Sequence, residues 1–198
     1  KTSVGPLSIS RMKNTLFRTI LVLTMLAVMF SVTAQSVSAE APAPDKQTAK
    51  FEITFMEGMI DHHMMAIMMA EMCTMKAVHP ELVATCEDII ATQSAEMEMM
   101  MMWLQDWYGI TYEPKMMMGE MQGHMMMDPA QFEEWFMKRM ISHHATAIKE
   151  AEECLEEAYH PELLNTCQNI IVTQSQEIDL FQAWLCDWYG LCNYRKNL

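Results

Sequence analysis

The sequence is poor in residues that interrupt helices and in residues that carry positive charge. Six of its 198 residues are glycine and seven are proline, and no stretch shows the apolar–polar alternation of a half-buried strand. Thirteen basic residues stand against 26 acidic ones, which gives a formal net charge of −13. Proteins bind nucleic acids largely through lysine and arginine, so this composition argues against a nucleic-acid partner. It favours an all-α protein whose surface attracts cations.

Motifs of the common enzyme classes are also missing. The sequence has no His-Glu-x-x-His of a zinc hydrolase and no glycine-rich phosphate loop. A di-iron carboxylate bundle needs a Glu-x-x-His motif on each of two helices, and this pair of motifs is absent. Ser94 and Ser175 have no evident base. We therefore expect a binding protein rather than an enzyme.

Methionine is the residue that the sequence has in unusual number, with 25 copies. Thirteen lie between Met56 and Met102, seven between Met116 and Met127, and only two in the stretch that follows. The methionine side chain offers a soft, uncharged thioether, and Cu(I) is the leading biological ion that such a ligand suits. Methionine also fills apolar cores, so the direction in which these residues face decides between the two uses.

The chain contains an internal repeat. Residues 55–109 align with residues 136–190 at a constant offset of 81 without a gap, and 30 of the 55 positions are identical. One supersecondary unit is therefore used twice. Pro80 suits the first position of a helix that follows a turn, and Gly109 suits a helix end. Each repeat predicts a helical hairpin, and two hairpins predict an antiparallel four-helix bundle.

The first 39 residues predict a secretory signal peptide. Three basic residues precede a mostly apolar run over residues 20–30, and small-residue cleavage sites end at Ala34 and Ala39. We interpret residues 1–11 as lying ahead of the natural start at Met12. Removal of residues 1–39 leaves nine basic and 26 acidic residues, a formal charge of −17. The expected location is periplasmic or secreted, without membrane contact after cleavage; an uncleaved membrane anchor is the alternative.

The remaining boundaries follow from the repeat. We predict a linker over 40–50 and a bundle over 51–198. Within the bundle, the first hairpin spans 51–109, a methionine-rich connection spans 110–128 and the second hairpin spans 129–192.

The six cysteines predict disulfides, because exported proteins fold in an oxidising compartment. In each repeat, two cysteines are placed symmetrically about the His-Pro turn, as facing residues of a helical hairpin are. We predict the pairs Cys73–Cys86 and Cys154–Cys167, and a third pair, Cys186–Cys192, across the helix end at Gly190. Thiolate ligation of a metal ion is the alternative.

The repeat separates the methionines of the first helix into two groups. Ten positions that are identical in both repeats share one arc of the helical wheel, which is the expected inner face: Phe55, Met56, Met59, Ile60, His63, Ala66, Ile67, Ala70, Cys73 and Ala77. Six more methionines occupy the opposite arc: Met64, Met65, Met68, Met69, Met72 and Met75. Their counterparts are Ala145, Thr146, Lys149, Glu150, Glu153 and Glu156. We predict that these six face outward and that core filling does not explain them.

These outward methionines and the connection are predicted soft-metal ligands. Met65, Met69 and Met72 recur at i, i+4 and i+7, and such neighbours lie about 5–6 Å apart on a helix, so two thioethers can converge on one ion. Met64, Met68 and Met75 form a second ridge, and Met101 looks exposed on the next helix. The connection adds Met116, Met117, Met118, Met121, His124, Met125, Met126 and Met127. The alternatives are docking of a periplasmic partner such as a copper pump or oxidase, and an oxidation sink.

A second predicted site lies on the inner face and occurs twice. His63 follows Met56 and Met59, and the set Met137, Met140 and His144 repeats this arrangement. One imidazole with two thioethers suits Cu(I), with Ag(I) as a mimic. His62 and His143 lie at the edge of the core and either complete these sites or bind separately. The alternative is that His63 and His144 form hydrogen bonds inside the bundle, to Gln93 and Glu96 or to Gln174 and Glu177. We interpret His79 and His160 as turn or capping residues.

The segment Met59-Ile60-x-His62-His63-x-x-Ala66-Ile67-x-x-Ala70 resembles the motif of a bacterial family of exported, ferritin-like four-helix bundle proteins, first classed as a domain of unknown function. The resemblance covers residues from about 51 to 192. With its cysteine pairs and methionine content, the chain is similar to copper-binding members of that family. This resemblance implies binding of Cu(I), acceptance of Ag(I) and a role in copper resistance. It carries over to Met59, His62, His63, Met140, His143 and His144.

Overall fold

The computed structural model describes residues 41–115, 124–192 and 194, and within them the protein consists of four long helices and no strands. The helices are α1 (Lys46–Lys76), α2 (Pro80–Tyr108), α3 (Pro129–Glu157) and α4 (Pro161–Tyr189), and a short 3-10 helix, His124–Met126, precedes α3. α1 packs along α2, α3 packs along α4, and α1 also packs against α3. This confirms the predicted bundle of two helical hairpins. None of the described helices combines the length and apolar character of a membrane span.

The helix ends follow from local sequence signals. α2 and α4 end at Gly109 and Gly190, which adopt the left-handed conformation with φ of 67° and 70° that glycine tolerates best. At the start of α3, the Asp128 carboxylate accepts a hydrogen bond from the Gln131 amide at 3.0 Å. α1 begins at Lys46, earlier than the predicted end of the linker at residue 50. The reason is that the Asp45 carboxylate caps its first turn by accepting from the Gln47 and Thr48 amides.

Three disulfides staple the bundle, as predicted. Cys73–Cys86 joins α1 to α2, and Cys154–Cys167 joins α3 to α4, with Cα–Cα distances of 6.2 and 6.3 Å. The third, Cys186–Cys192, spans the end of α4. All six cysteines are therefore paired, and the alternative of thiolate metal ligation is wrong.

The apolar core is divided into two clusters by a polar layer. One cluster gathers Met56, Met59 and the tryptophans near the end of α2 with the second half of α3. The other gathers Met137, Met140 and the second half of α1 with the end of α4. The adjacent histidines of α1 and α3 lie where the two clusters meet, because His63 falls between Ile60 of one cluster and Ala66 of the other.

A buried carboxylate ties each hairpin to the start of the other hairpin's second helix. Glu52 is fully buried, and its carboxylate accepts from the backbone amides of Tyr159 and His160 at 2.7 and 2.9 Å. The same carboxylate accepts from the Tyr108 hydroxyl and lies 2.6 Å from His160 Nδ1. Burial alone would raise the pKa of Glu52, but these hydrogen bonds outweigh it and lower the pKa below its usual value. Glu133 makes the equivalent contacts with Val78, His79 and Tyr189.

Candidate metal centre

Four histidines from the two hairpins meet in the middle of the bundle. His63 and His144 are fully buried, and His143 is almost so. The rings of His62 and His143 meet across the contact between α1 and α3, with centroids 3.5 Å apart and 33° between their planes. The sequence indicated two separate sets at equivalent places in the repeat; packing of α1 against α3 brings their histidines together.

A glutamate from the neighbouring helix braces each fully buried histidine. His63 Nε2 lies 2.7 Å from Glu96 Oε2 and forms a hydrogen bond with it. His144 Nε2 lies 2.5 Å from Glu177 Oε2, although the angle is not that of a well-directed hydrogen bond. The alternative prediction, that these histidines form hydrogen bonds inside the bundle, is therefore confirmed for His63 with Glu96, whereas His144 is only in close contact with Glu177. Gln93 and Gln174 lie buried beside them with amide oxygens that accept no hydrogen bond.

The imidazole nitrogens that face away from the glutamates have no partner. The Nδ1 atoms of all four histidines are buried and make no hydrogen bond. Because the Glu96 carboxylate accepts the Nε2 proton of His63, the lone pair of the neutral ring resides on Nδ1. A histidine that ligates a metal ion through one nitrogen usually donates its other ring proton to a carboxylate, backbone carbonyl or water. The His63–Glu96 pair has this arrangement.

Burial keeps His62 and His143 neutral. Desolvation, followed by repulsion from a protonated His63 or His144, lowers the pKa of His62 from 6.5 to about 3. Desolvation and the neighbouring His62 hold the pKa of His143 well below 6.5 as well. Neutral imidazole is the form that ligates metal ions, so these rings are ready to bind a cation without first losing a proton.

Four methionines extend the histidine layer into the two core clusters. Met56, Met59, Met137 and Met140 are all fully buried. Met59 and His63 are four residues apart, as are Met140 and His144, so each pair lies on one helix face. These methionines are on the inner face, as the repeat predicted.

The structure contradicts the prediction that six methionines on the opposite arc of α1 all face outward. Met69 and Met72 are only 2% and 3% exposed and pack in the same cluster as Phe132 and Phe136 of α3. Met64, Met65 and Met68 are half-buried, and only Met75 is well exposed, at 70%. Core filling therefore does explain Met69 and Met72.

The two halves of the interface between α1 and α3 differ, which explains this error. Met69 and Met72 pack against the first half of α3, where Trp135 and Arg139 occupy the positions equivalent to Thr54 and Gly58 of α1. At the equivalent place in the other half, the small residues leave an open groove of about 360 Å³ lined by Glu150 and Glu153. Glu150 and Glu153, which replace the two methionines in the second repeat, therefore face an open groove. Their exposure does not indicate how deeply Met69 and Met72 are buried.

The remaining predicted ligands are spread over the surface. Met101 is half-buried against the first core cluster. His124 stacks on Trp135 with ring centroids 3.9 Å apart, Met127 packs on the second cluster, and Met126 is 89% exposed. The described residues do not include Met116, Met117, Met118 and Met121, nor the side chain of Met125.

The donor set of the central layer suits a soft ion better than a hard one. No three His, Cys, Asp or Glu side chains converge as a metal-binding group within residues 41–115 and 124–192. Imidazole nitrogens with buried thioethers are ligands for Cu(I) or Ag(I), which accept low coordination numbers. The orphan Nδ1 atoms and the adjacent methionines therefore fit a copper ion.

The sequence patterns did not identify the two buried glutamates, Glu52 of α1 and Glu133 of α3. At the turns, His79 and His160 precede α2 and α4 as predicted, but their side chains make no capping hydrogen bond and contact Glu133 and Glu52 instead. The signal was present, because Glu52 matches Glu133 at the same offset of 81, three residues before the start of the aligned block.

No curated protein matches the sequence significantly. CopM in its Cu(I)-bound form is 33% identical to this chain over 70% of the chain and 98% of CopM, with a TM-score of 0.65. The Ag-bound form gives the same values, and the Cu(II)-bound form is 35% identical over 70% of this chain and 97% of CopM, with a TM-score of 0.61. Residues 52–185 match the family model described as Domain of unknown function (DUF305), so this chain belongs to the DUF305 family.

Proposed function

We propose that the protein is an exported copper-binding protein that sequesters Cu(I) through methionine and histidine side chains. By lowering free copper outside the cytoplasm, it contributes to copper homeostasis and resistance. It acts as a binding protein and not as an enzyme. The observation that carries the proposal is the pair of buried Met-Met-His sets whose histidines keep an unbonded Nδ1 beside a glutamate brace.

Three further observations support this function. CopM, which is similar in sequence and fold, has been solved with Cu(I), Cu(II) and silver bound. Residues 1–39 carry a signal-peptide pattern, and three disulfides suit an oxidising compartment. The half-buried Met64, Met65 and Met68, together with the connection, provide thioethers for additional ions.

Substitution of methionine by leucine separates ligation from packing. Leucine keeps most of the volume of methionine but removes the sulfur, and such swaps usually cost less than about 1.5 kcal/mol. The test variant replaces the four central methionines, Met56, Met59, Met137 and Met140, by leucine. The matched control replaces Met69 and Met72, which are equally buried but lie outside the two sets.

Anaerobic titration of the mature protein against a chromophoric Cu(I) chelator measures the result. We expect tight Cu(I) binding by the wild type and by the control, and loss of the tightest sites in the test variant. Replacement of the seven methionines between 116 and 127 by leucine should remove further, weaker sites. A stoichiometry below one ion per chain, or preference for Zn(II) over Cu(I), would contradict the proposal.

A second function is favoured by exposed methionines at one end of the bundle. Met75 and Met126 are 70% and 89% exposed, and flexible methionine surfaces suit adaptable protein docking. In this alternative the surface docks a periplasmic copper pump or oxidase. A partner retained on the wild-type protein after copper is chelated, and lost from a Met75→Glu, Met126→Glu variant, would support docking. Retention only in the presence of copper would favour sequestration alone.

A further inference from the structure

A stack of aromatic rings runs along the last turns of α2. Trp103 and Trp107 are parallel, with centroids 5.1 Å apart and 4° between their planes. The ring of His160 covers the end of the stack, 3.8 Å from Trp107. Both tryptophans are buried, so the rings are in direct contact and away from water.

The stack leads to a tyrosine whose proton already has an acceptor. The Tyr108 ring stands edge-on to Trp107, with centroids 6.4 Å apart. Its hydroxyl donates a hydrogen bond to the carboxylate of the fully buried Glu52. Burial and this hydrogen bond raise the pKa of Tyr108 well above its usual value of 10, so the resting phenol keeps its proton. A phenol loses an electron more readily when a base within hydrogen-bond reach takes its proton in the same event.

The second hairpin repeats this arrangement of rings, with tryptophans that are half-buried. Trp184 and Trp188 are stacked with centroids 5.0 Å apart, and the ring of His79 lies 3.9 Å from Trp188. Tyr189 stands edge-on to Trp188 and donates to Glu133 at 2.5 Å. Stacking alone would not require that each tryptophan pair end at a tyrosine bonded to a buried carboxylate.

Each stack adjoins one of the methionine sets proposed to hold copper. Trp103 and Trp107 belong to the same buried cluster as Met56 and Met59. Trp184 and Trp188 pack against the cluster that contains Met137 and Met140. Thioethers are oxidised readily to the sulfoxide, which is polar and disrupts cores. An oxidant generated at the copper centre therefore has oxidisable methionine and tryptophan side chains in the adjoining clusters.

We propose that each Trp-Trp-Tyr stack carries one-electron oxidation away from the methionines of the copper centre to a tyrosine at the end of the bundle. This rests on the proposed function, because the oxidant is the hydroxyl radical formed when Cu(I) reduces hydrogen peroxide to that radical and hydroxide and becomes Cu(II). The radical takes one electron from the stack and becomes hydroxide. Tyr108 then returns one electron to the Trp107 radical cation, and its phenolic proton passes to Glu52. The products are neutral Trp107, a Tyr108 phenoxyl radical and protonated Glu52.

Pulse radiolysis with the azide radical tests the electron path without copper. This radical takes one electron from tryptophan in preference to tyrosine. In the wild-type protein, we expect the tryptophan-radical absorption to be replaced by that of a tyrosyl radical, at a rate independent of protein concentration. The double variant Tyr108→Phe, Tyr189→Phe should lose this tyrosyl signal, and each single variant should lose part of it.

Tyr112→Phe is the matched control. Tyr112 also donates to a carboxylate, Asp61 at 2.8 Å, and packs against the core cluster that contains Trp103 and Trp107. In the described part of the chain, however, its ring forms no stacked or edge-on pair with a tryptophan of either stack. Its removal should leave the transfer unchanged. A persistent tryptophan radical in the wild type, or unchanged transfer in the folded double variant, would overturn the electron path. Circular dichroism confirms folding, and Trp107→Phe with Trp188→Phe provides a second block that leaves both tyrosines in place.

Mass spectrometry of methionine sulfoxide tests the protective role in the Cu(I)-loaded protein. After hydrogen peroxide is added, the copper-dependent sulfoxide at Met56 and Met59 should increase in Trp107→Phe, whereas Trp188→Phe should increase it at Met137 and Met140. Equal sulfoxide at these positions in wild type and variants would overturn the protective role. If the chain binds no Cu(I), the proposed function fails while the azide experiment keeps its own result, so the two failures are distinguishable.

Discussion

Replacement of Glu96 by glutamine tests how the protein prepares a buried histidine for copper. The Glu96 carboxylate lies 2.7 Å from His63 Nε2, fixes the proton on that nitrogen and leaves the lone pair on Nδ1. Glutamine keeps the shape but removes the charge that makes His63 a stronger donor. Loss of such an outer partner typically costs about 10–100-fold in metal affinity, which is about 1.4–2.7 kcal/mol. We expect Glu96→Gln to weaken one Cu(I) site by this factor.

Competition titration with a Cu(I) chelator gives the affinity, and two variants make the result specific. Glu177→Gln, at the equivalent position of the second repeat, should weaken Cu(I) binding in the same range. Glu98→Gln removes an exposed charge from the same helix and should have little effect. If Glu96→Gln is folded and binds Cu(I) as tightly as the wild type, Glu96 does not prepare His63 for a metal ion.

Three further predictions concern the stability of the metal-free protein, measured by chemical unfolding. In the unfolded chain His62 binds a proton below pH 6.5, whereas in the folded protein it stays neutral until the pH reaches its pKa of about 3. The free energy of unfolding should therefore decrease as the pH is lowered from 6.5 towards 3, by about 1.4 kcal/mol per pH unit for each such histidine. Met72→Ala should cost about 2–5 kcal/mol because it opens a cavity, while Met75→Ala, at an exposed position, should change stability by less than about 0.5 kcal/mol. Glu52→Ala should cost about 3–5 kcal/mol, because it removes one partner of a buried pair and leaves the amides of Tyr159 and His160 without an acceptor.

A specific outcome would contradict each of these three predictions. Stability that stays constant between pH 6.5 and 5, or that falls equally in a His62→Gln, His143→Gln variant, would show that other groups control the acid response. Equal costs for Met72→Ala and Met75→Ala would contradict the packing of Met72 against α3. A Glu52→Ala protein as stable as an exposed control, Glu71→Ala, would show that the buried carboxylate does not hold the hairpins together.

Local signals and the repeat were sufficient to predict the fold. Pro80 and Pro161 mark helix starts, Gly109 and Gly190 mark helix ends, and symmetric spacing about the turns identifies the disulfide partners. These features act within one helix or between neighbours in a hairpin, so sequence spacing determines them. The inner face of α1 was also predictable, because both repeats bury the same positions.

Contacts between the hairpins were not predictable from the same signals. Met69 and Met72 are buried in a cluster that includes Phe132 and Phe136 of the other hairpin, and a helical wheel contains no information about such neighbours. The comparison with Glu150 and Glu153 misled for a physical reason. The small residues Thr54 and Gly58 line an open groove beside these glutamates, whereas the larger Trp135 and Arg139 occupy the equivalent positions of the second repeat. The contact between the His62 and His143 rings likewise depends on how α1 packs against α3.

X-ray absorption of the Cu(I)-loaded protein tests the central claim most directly, since it identifies the atoms bound to copper. We predict a first shell that contains both sulfur and nitrogen. The sulfur contribution should decrease when Met56, Met59, Met137 and Met140 are replaced by leucine, and it should persist when Met69 and Met72 are replaced. A shell of nitrogen and oxygen alone, or a spectrum unchanged by the fourfold substitution, would contradict the account.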